Sequence, residues 1–464
     1  MEGCVRQTKK IQHLLLVILC LGLTSITYAQ DWPQFLGPDR DNTSPQKDIL
    51  RTWPAEGPEV LWTADLGIGF GGPVAKDGKA YLLDRDDEVG DILRCFDLSN
   101  GKELWKFTYD AAGEVMFPGS RNIPALDGNF IYTCGPFGDV YCIDINSHQP
   151  VWNKNVWTDY GGPSGLGSTG GFSSREPGSF PVWAISQSPL IYKDLVILAS
   201  QTLEVGVVAY NKFTGEEVWK TPSLGQTGYV SPTIIEISGE PHVIMVSAAK
   251  RGGWGQPLAE DGKIVGLDPL TGKQLWEYAE YGNGLPISLA LDAGDNKVIV
   301  VGGYELGTVM LEIEKAEDGT FGVTELFKHN DFGDHTKPPV FHDGHFYAQF
   351  STNNKRDGLA CMNMDGEVLW KTGQEPAFDK GSMILADGLI LATDGRTKLY
   401  LIEPDPSGFK PIASAELLKE GGLKEGTRGS RNGGSTQNWA PIALVDGKLL
   451  IRDQQQLYCV KVVQ

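Results

Sequence analysis

The stretch DLSNGKELW, residues 97–105, returns along the chain in variant form and decides the fold. The other copies are DINSHQPVW at 144–152, NKFTGEEVW at 211–219, DPLTGKQLW at 268–276 and a shortened NMDGEVLW at 363–370. Each copy begins with Asp or Asn, continues through Gly (His148 in the second copy) and ends with Leu or Val followed by Trp. Self-similarity of this kind indicates an architecture of repeated supersecondary units.

A second repeated feature is a tight turn between two apolar runs. The Asp-Gly turns are Asp77-Gly78, Asp127-Gly128, Asp343-Gly344, Asp387-Gly388 and Asp446-Gly447, and looser versions are Lys193-Asp194, Ser238-Gly239 and Gly294-Asp295. Asp-Gly favours the primed hairpin turns, because both turn residues then take positive φ. A third strand follows each hairpin, and the Trp phrase forms a fourth. Eight turns therefore predict eight four-stranded antiparallel units.

Such units, repeated around an axis, form an all-β, eight-bladed β-propeller. The predicted blades are 64–105, 121–152, 186–219, 229–276, 284–327, 336–370, 381–413 and 439–463. Blade eight runs out after its third strand, whereas Leu61-Trp62-Thr63 stands alone before blade one. We expect this N-terminal strand to complete blade eight and close the ring, because an incomplete blade would leave an open edge.

With these motifs, residues 60–463 resemble the pyrroloquinoline-quinone (PQQ) repeat, or tryptophan-docking, β-propellers. The resemblance is nearest to secreted PQQ-repeat-like propellers, which open like residues 31–38 and end like residues 439–453, and to BamB. It is more distant to the quinoprotein alcohol dehydrogenases. It implies that each Trp packs on the Gly and the small residue of neighbouring motifs. The matching positions are Trp62, Trp105, Trp152, Trp219, Trp276 and Trp370.

The N-terminus has the pattern of an export signal. Arg6, Lys9 and Lys10 precede the apolar run 14–23, and Thr27-Tyr28-Ala29 resembles a cleavage site. We predict a signal peptide at 1–29, an extended arm at 30–60 and the propeller at 61–464, in a periplasmic or secreted protein without a further membrane span. The net charge of −19 argues against nucleic acid as a partner. A charged, soluble monomer is expected.

Five cysteines follow the predicted cleavage site. Cys95, Cys142, Cys361 and Cys459 share one slot, which Ala209 and Gly266 fill in other blades, so the slot calls for a small buried side chain beside the Trp. Cys134 lies outside it. Cys134 and Cys142 are candidates for a cross-strand disulfide in an oxidising compartment.

An acidic loop contains Asp84, Asp86, Asp87, Glu88 and Asp91. Calcium favours such oxygen ligands, but Cys95 stands where an EF-hand loop beginning at Asp84 requires a bidentate Glu. We therefore predict a solvated hairpin tip and no metal site.

The loops that lead into the inner strands line one mouth of a propeller channel, where ligands tend to bind. The candidates there are Arg121, Asn122, Gln187, Tyr229, Asn283, His335, Lys337, Asn438 and Trp439. Their cations, amides and aromatic rings suit an anionic or sugar-like ligand. They suit equally well a structural funnel of hydrogen-bonded polar groups.

Three functions remain open. The first is a binding or protein-interaction scaffold in the periplasm or cell envelope, with a protein, small-molecule or carbohydrate ligand at the mouth and no cofactor. The second, implied by the resemblance, is an alcohol (polyvinyl-alcohol-type) dehydrogenase using PQQ and calcium. The absence of an adjacent Cys-Cys pair and the excess of cations over carboxylates at the mouth argue against it. The third is a carbohydrate-active propeller, although no paired carboxylates can be assigned.

Overall fold

The structure, a computed structural model, describes residues 31–164, 178–250, 262–304, 306–351, 356–421 and 436–464. The predicted signal peptide at 1–29 lies outside this part of the chain. The described residues form eight small antiparallel sheets and one short 3₁₀ helix, Thr158–Tyr160. Two strands precede the first complete blade: β1 (Thr43–Ser44) and β2 (Val60–Asp65).

Blades 1 to 4 follow the chain order, each from an inner strand to an outer strand. Blade 1 contains β3 (Val74–Lys76), β4 (Lys79–Asp86), β5 (Gly90–Asp97) and β6 (Glu103–Asp110). Blade 2 contains β7 (Ala125–Asp127), β8 (Phe130–Cys134), β9 (Asp139–Asp144) and β10 (Gln149–Asn155). Blade 3 contains β11 (Leu190–Tyr192), β12 (Leu195–Ala199), β13 (Val205–Asn211) and β14 (Glu217–Pro222). Blade 4 contains β15 (Thr233–Ile237), β16 (Glu240–Val246), β17 (Ile264–Leu267) and β18 (Gln274–Tyr278).

Blades 5 to 7 repeat this order, and blade 8 ends with a strand from the N-terminus. Blade 5 contains β19 (Leu291–Asp292), β20 (Lys297–Val301), β21 (Thr308–Lys315) and β22 (Phe321–His329). Blade 6 contains β23 (Val340–His342), β24 (His345–Ser351), β25 (Arg356–Asn363) and β26 (Val368–Lys371). Blade 7 contains β27 (Met383–Ala386), β28 (Leu389–Thr393), β29 (Lys398–Glu403) and β30 (Lys410–Glu416). Blade 8 contains β31 (Ala443–Val445), β32 (Lys448–Arg452), β33 (Gln456–Lys461) and β2.

The ring closes through β2, which confirms the prediction made for Leu61-Trp62-Thr63. Strand β2 pairs antiparallel with β33, and Trp62 lies opposite Cys459. The eight-bladed, all-β fold is therefore the one expected from the repeats. Apolar clusters between neighbouring blades hold the ring together; one joins β31 to β33 with the first strands of blade 1.

The hairpin turns have the backbone that the Asp-Gly pairs predict. Asp77 and Gly78 have φ of 50° and 71°, and Asp387 and Gly388 have φ of 52° and 71°. Positive φ at both positions defines the turn whose twist matches that of the flanking strands.

The outer-strand tryptophans reach from one blade to the next. The indole Nε1 of Trp62 donates to Leu98 O at 2.9 Å, and that of Trp219 donates to Pro269 O at 3.1 Å. The ring of Trp62 covers Gly101, and the ring of Trp219 covers Gly272. Trp152 packs in the same way on the next blade, whereas Trp105 stacks on His148, 4.5 Å away, where that motif lacks its Gly.

Two tryptophans depart from this arrangement. Trp370 donates to Asp405 O at 2.9 Å and lies 6.3 Å from the ring of Phe409. Trp276 donates within its own blade, to His242 Nδ1 at 2.9 Å. Blade 5 has no Trp in this position, and there Phe327 covers Gly366 of the next blade.

The small-residue slot lies directly across the strand pair from each tryptophan. The partners of Trp62, Trp105, Trp152, Trp219, Trp276 and Trp370 are Cys459, Cys95, Cys142, Ala209, Gly266 and Cys361. The four cysteines of this set are fully buried, which agrees with their interpretation as small apolar side chains.

The hypothesis of a Cys134–Cys142 disulfide is wrong for this structure, in which both are free thiols. Cys134 lies opposite Val140, and Cys142 lies opposite Tyr132. The two cysteines are thus diagonal neighbours, which are typically about 7–8 Å apart in a sheet, with a somewhat shorter separation between their Cβ atoms. A disulfide needs about 3.5–4.5 Å.

The N-terminal arm contacts inner strands on opposite sides of the channel. Trp32 forms a β-bridge with Ala75 in blade 1. The buried Arg40 donates to the carbonyls of Pro189 and Pro232, 3.0 Å away, at the start of blades 3 and 4. Strand β1 then pairs in parallel with β27 in blade 7. Blades 3 and 4 face blades 7 and 8 across the ring, so the segment from Arg40 to β1 must cross the channel.

Two glycines of blade 4 allow the cost of backbone strain to be distinguished from the cost of a clash with a tryptophan ring. Gly239 and Gly272 have φ of 78° and 70°, so alanine is strained at both positions. A Cβ on Gly239 meets nothing within 4 Å, whereas one on Gly272 meets the ring of Trp219 at 2.4 Å. We expect Gly239→Ala to cost about 1–2 kcal/mol and Gly272→Ala about 1–3 kcal/mol more. Equal losses in urea unfolding would show that the Trp–Gly contact adds nothing.

Candidate functional site

The channel mouth is the end at which the chain enters each inner strand, opposite the hairpin turns. The loops of several blades come together there, but the predicted residues differ in what their side chains bind. Gln187 receives the backbone N–H of Ala199 at 2.7 Å and donates to its carbonyl at 2.5 Å. Asn122 donates to the carbonyls of Cys134 and Ile185. These amides are bonded to the backbone and hold loops in place.

Asn283 and Asn438 have similar tasks. Asn283 Oδ1 accepts from the backbone N–H of Leu285 at 2.8 Å. Asn438 Nδ2 donates to Lys419 O at 3.3 Å and to the carbonyl of Arg396. The alternative of a hydrogen-bonded structural funnel therefore describes the amides of the mouth.

Arg121 joins the loop that precedes blade 2 to the loop that precedes blade 3 through hydrogen bonds. Its Nη1 donates to the carbonyl of Trp183, and its Nη2 donates to those of Met116 and Phe117, at 3.1 and 2.5 Å. Burial lowers the pKa of Arg121 to about 10. Since both terminal nitrogens serve the backbone, Arg121 is a poor candidate for direct ligand binding.

Lys337 fastens the loops before blades 6, 7 and 8. Its Nζ donates to Thr336 Oγ1 at 3.2 Å, to Lys380 O at 3.1 Å and to Trp439 O at 2.9 Å, which uses all three protons. Burial lowers the pKa of Lys337 to about 8, and the Asp334 carboxylate opposes this shift. Asp334 itself accepts three backbone N–H groups, and burial raises its pKa to about 6.

His335 is a buried side chain of the mouth whose two ring nitrogens both lack hydrogen-bond partners. Only 8% of it is exposed, and neither ring nitrogen has a hydrogen-bond partner. The ring of Tyr304 lies edge-on to it at 4.5 Å, and that of Trp183 lies 6.4 Å away. Burial, with the positive charges of Lys380 and Lys337, lowers the pKa of His335 to about 3. The imidazole is thus neutral near pH 7, with one donor and one acceptor.

Aromatic rings surround this end of the channel and form a continuous series, which we name the aromatic rim. Its members are Phe70, Phe117, Trp183, Tyr229, Tyr304 and Trp439. Phe70 stacks on Trp439 at 5.6 Å and meets Phe117 at 6.2 Å. Trp183 follows, 6.5 Å from Phe117 and from Tyr304 and 5.1 Å from Tyr229. All but the buried Tyr229 are half-buried.

Sequence reasoning missed most of the rim: Phe70, Phe117, Trp183 and Tyr304, together with Lys380. Lys380 Nζ lies 4.6 Å above the ring of Trp439. The sequence feature that could have identified these residues is an aromatic residue in a Gly- or Pro-containing loop before an inner strand, such as Phe70-Gly71-Gly72 or Phe117-Pro118. Phe117, Tyr304 and Lys380 have φ of 60°, 54° and 56°, a region that bulky residues rarely adopt. Such strain concentrates at functional sites.

His335→Gln is expected to make the protein less sensitive to acid. The unfolded chain protonates this residue near pH 6.5 and the folded chain only near pH 3, so stability is lost as the pH falls below about 6.5. Between about pH 6 and pH 4 the wild type should lose up to about 1.4 kcal/mol per pH unit more than the variant. Urea unfolding at each pH measures this difference, and equal slopes would contradict it. The raised pKa of Asp334 acts in the opposite direction in both proteins.

The residues of the mouth do not fit a calcium-supported quinone. Calcium takes about 6–8 oxygen ligands and favours several carboxylates. Two carboxylates of the mouth already have partners within the protein. Asp334 accepts hydrogen bonds from backbone N–H groups, and Asp379 accepts one from Lys380 Nζ at 2.7 Å. Across the part of the chain that the structure describes, no three His, Cys, Asp or Glu residues come together as a metal site.

The acidic loop of blade 1 is less solvated than predicted. Asp84 and Asp91 are fully buried, because Asp84 pairs with Arg94 at 2.8 Å and Asp91 pairs with Arg85 at 3.0 Å. Burial raises the pKa of Asp91 to about 6, against the effect of Arg85. The prediction of a solvated tip is therefore wrong for these two residues.

The family described as outer membrane protein assembly factor BamB (PQQ_2) matches residues 89–317 and again residues 195–407, together more than half of the chain. The chain belongs to this family. It is 22% identical over 178 residues to a quinoprotein ethanol dehydrogenase of Pseudomonas putida and 22% identical over 181 residues to a tetrathionate hydrolase of Acidithiobacillus ferrooxidans. Each match covers 37% of this chain but 24% and 31% of the relative. The chain thus spans under a third of these curated relatives.

Solved structures share the fold. The quinohemoprotein alcohol dehydrogenase of Comamonas testosteroni superposes with a TM-score of 0.60 at 14% identity, over 94% of this chain and 81% of the other. BamB of Moraxella catarrhalis superposes with a TM-score of 0.51 at 13% identity, over 87% and 97%. At such identities the likeness concerns the fold alone. Among the residues the structure describes, no helix is long and apolar enough to cross a membrane.

Proposed function

We propose that this chain is an exported binding propeller, a scaffold of the periplasm or cell envelope that holds a ligand or protein partner at its channel mouth. One observation carries the proposal. The cations and amides of the mouth fasten its loops to one another, while the half-buried rings of the aromatic rim remain partly open to solvent. Loops that are held in place by hydrogen bonds and expose aromatic surface are suited to binding a ligand, because little conformational entropy is then lost on binding.

The names of relatives also support export. The matching family is described as an outer membrane assembly factor, and the N-terminal residues have the pattern of a signal peptide. Fractionation of cells that make the protein would test this location. Recovery of full-length protein in the cytoplasm would contradict it.

The alternative is a dehydrogenase dependent on PQQ and calcium, which the quinoprotein relatives favour by likeness. The donor set of the mouth opposes it, since Lys337 contributes a cation and the carboxylates of Asp334 and Asp379 are already bonded within the protein. An absorbance spectrum after adding PQQ and calcium, followed by a dye-reduction assay with alcohols, distinguishes the two. We expect neither a bound-quinone spectrum nor dye reduction. Tight binding with alcohol-dependent dye reduction would overturn the scaffold proposal.

A further inference from the structure

The positive charges of the mouth are already compensated within the protein. Lys337 uses its three protons on oxygen atoms, and both terminal nitrogens of Arg121 serve carbonyls. Lys380 Nζ lies 2.7 Å from Asp379 Oδ1. An anionic ligand would have to compete with these bonds, and the net charge of −19 would repel it at longer range.

Most of the mouth atoms that lack hydrogen-bond partners belong to neutral side chains, and the Nε of Arg121 is the cationic exception. The indole N–H groups of Trp183 and Trp439 and both nitrogens of His335 are buried without a hydrogen bond, as is Asn438 Oδ1. An unpaired buried polar group costs about 1–3 kcal/mol, so a partner for it is favourable. The group contains donors and acceptors together, and a hydroxyl group, which both donates and accepts, complements such a mixture.

The aromatic rim supplies the other half of a recognition surface. Trp439 stacks on Phe70 with an interplanar angle of 29°, and Trp183 stacks on Tyr304 with one of 21°. These rings are half-buried, so part of their apolar surface stays accessible. An apolar ring surface beside an N–H donor suits a ligand with one face of C–H groups and an edge of hydroxyls.

We propose that the mouth binds a neutral saccharide, whose pyranose rings pack on Trp439 and Trp183 and whose hydroxyls pair with their indole N–H groups and with His335. This inference rests on the proposed function and assigns it a ligand class. The unpaired atoms are covered in the free protein and Lys380 lies over the ring of Trp439, so binding requires these side chains to move.

The test is a calorimetric and tryptophan-fluorescence titration of the full chain with two neutral hexasaccharides, cellohexaose and maltohexaose, and with an anionic probe, trigalacturonate. We expect at least one neutral probe to bind in the micromolar to millimolar range, with little dependence on salt because no charges meet. Trp439→Ala and Trp183→Ala should each weaken binding at least about tenfold, as loss of an aromatic anchor does.

Matched variants keep the result interpretable. Trp439→Phe retains the ring but not the N–H, so it should lose less affinity than Trp439→Ala and guards against a folding defect. Lys380→Gln removes the ammonium group that lies 4.6 Å above the ring of Trp439, so it should not weaken the binding of a neutral ligand, whereas it should weaken the binding of an anionic one. Phe213, 45% exposed on blade 3 away from the mouth, provides the control Phe213→Ala, which should leave affinity unchanged.

Two results would overturn the ligand class. One is no binding of either neutral probe at about 10 mM. The other is salt-dependent binding of trigalacturonate that Lys380→Gln abolishes. Either result leaves the proposed binding function standing, whereas PQQ- and calcium-dependent oxidation of alcohols would remove that function itself.

Discussion

Deletion of residues 55–66 is expected to abolish cooperative folding. The deletion removes β2, which is the outer strand of blade 8 and pairs with β33 from Val60 to Asp65. It also removes Trp62, whose ring covers Gly101 of blade 1 and whose indole donates to Leu98. Blade 8 would then present an open edge, and one blade interface would lose its closing contact. Circular dichroism and thermal melting measure the outcome, and an unchanged melting temperature would contradict ring closure.

Two neighbouring point variants refine this test. Trp62→Ala should cost about 3–5 kcal/mol, as truncation of a buried Trp does. Leu61 is 38% exposed on the other face of β2, so Leu61→Ala should stay within about 0.5 kcal/mol. Similar losses for both would mean that β2 contributes only its backbone pairing.

Arg452→Met is expected to destabilise the protein by about 3–5 kcal/mol. The guanidinium at the end of β32 is fully buried and donates to Gly67 O at 2.8 Å, to Gly71 O at 3.2 Å and to Ser120 Oγ at 3.3 Å. It therefore joins blade 8 to the loops that lead into blades 1 and 2. Methionine has similar bulk but leaves these oxygen atoms without their donor, which is the costly step.

Arg51→Met is the matched control for this effect. Arg51 makes two hydrogen bonds, to the side chain and carbonyl of Asp387, but half of its side chain is exposed. Surface ion pairs contribute about 0–1 kcal/mol, so the control should change little. Urea unfolding of both variants measures the difference. Comparable losses would show that Arg452 does not hold the ring closed.

The parts of the fold that repeat could be predicted from sequence. Five Asp-Gly turns and three looser turns identified eight hairpins. The unpaired Leu61-Trp62-Thr63 identified the closing strand, because a repeat that lacks one strand shows where the strand is needed. The position that Cys95 shares with Ala209 and Gly266 could also be predicted to need a small side chain, because its copies in different blades are all small residues. Repetition supplies these comparisons within a single chain.

The parts that do not repeat could not be predicted in the same way. The path of the arm depends on Arg40, which reaches carbonyls 149 and 192 residues away, and no local pattern encodes such contacts. At the mouth, residue type and position predict Arg121 and Lys337 to be ligand-binding cations. Residue type alone does not reveal whether a cation meets a ligand or a backbone carbonyl, and here both meet carbonyls.

The central claim is that this propeller binds its partner through the channel mouth. A photoreactive phenylalanine at Phe70, on the aromatic rim, and another at Phe213, on the exposed side of blade 3, test it directly in the cells that make the protein. The structure predicts that irradiation gives a covalent adduct at Phe70 and none at Phe213. An adduct at Phe213 alone, or no adduct at Phe70, would contradict the claim.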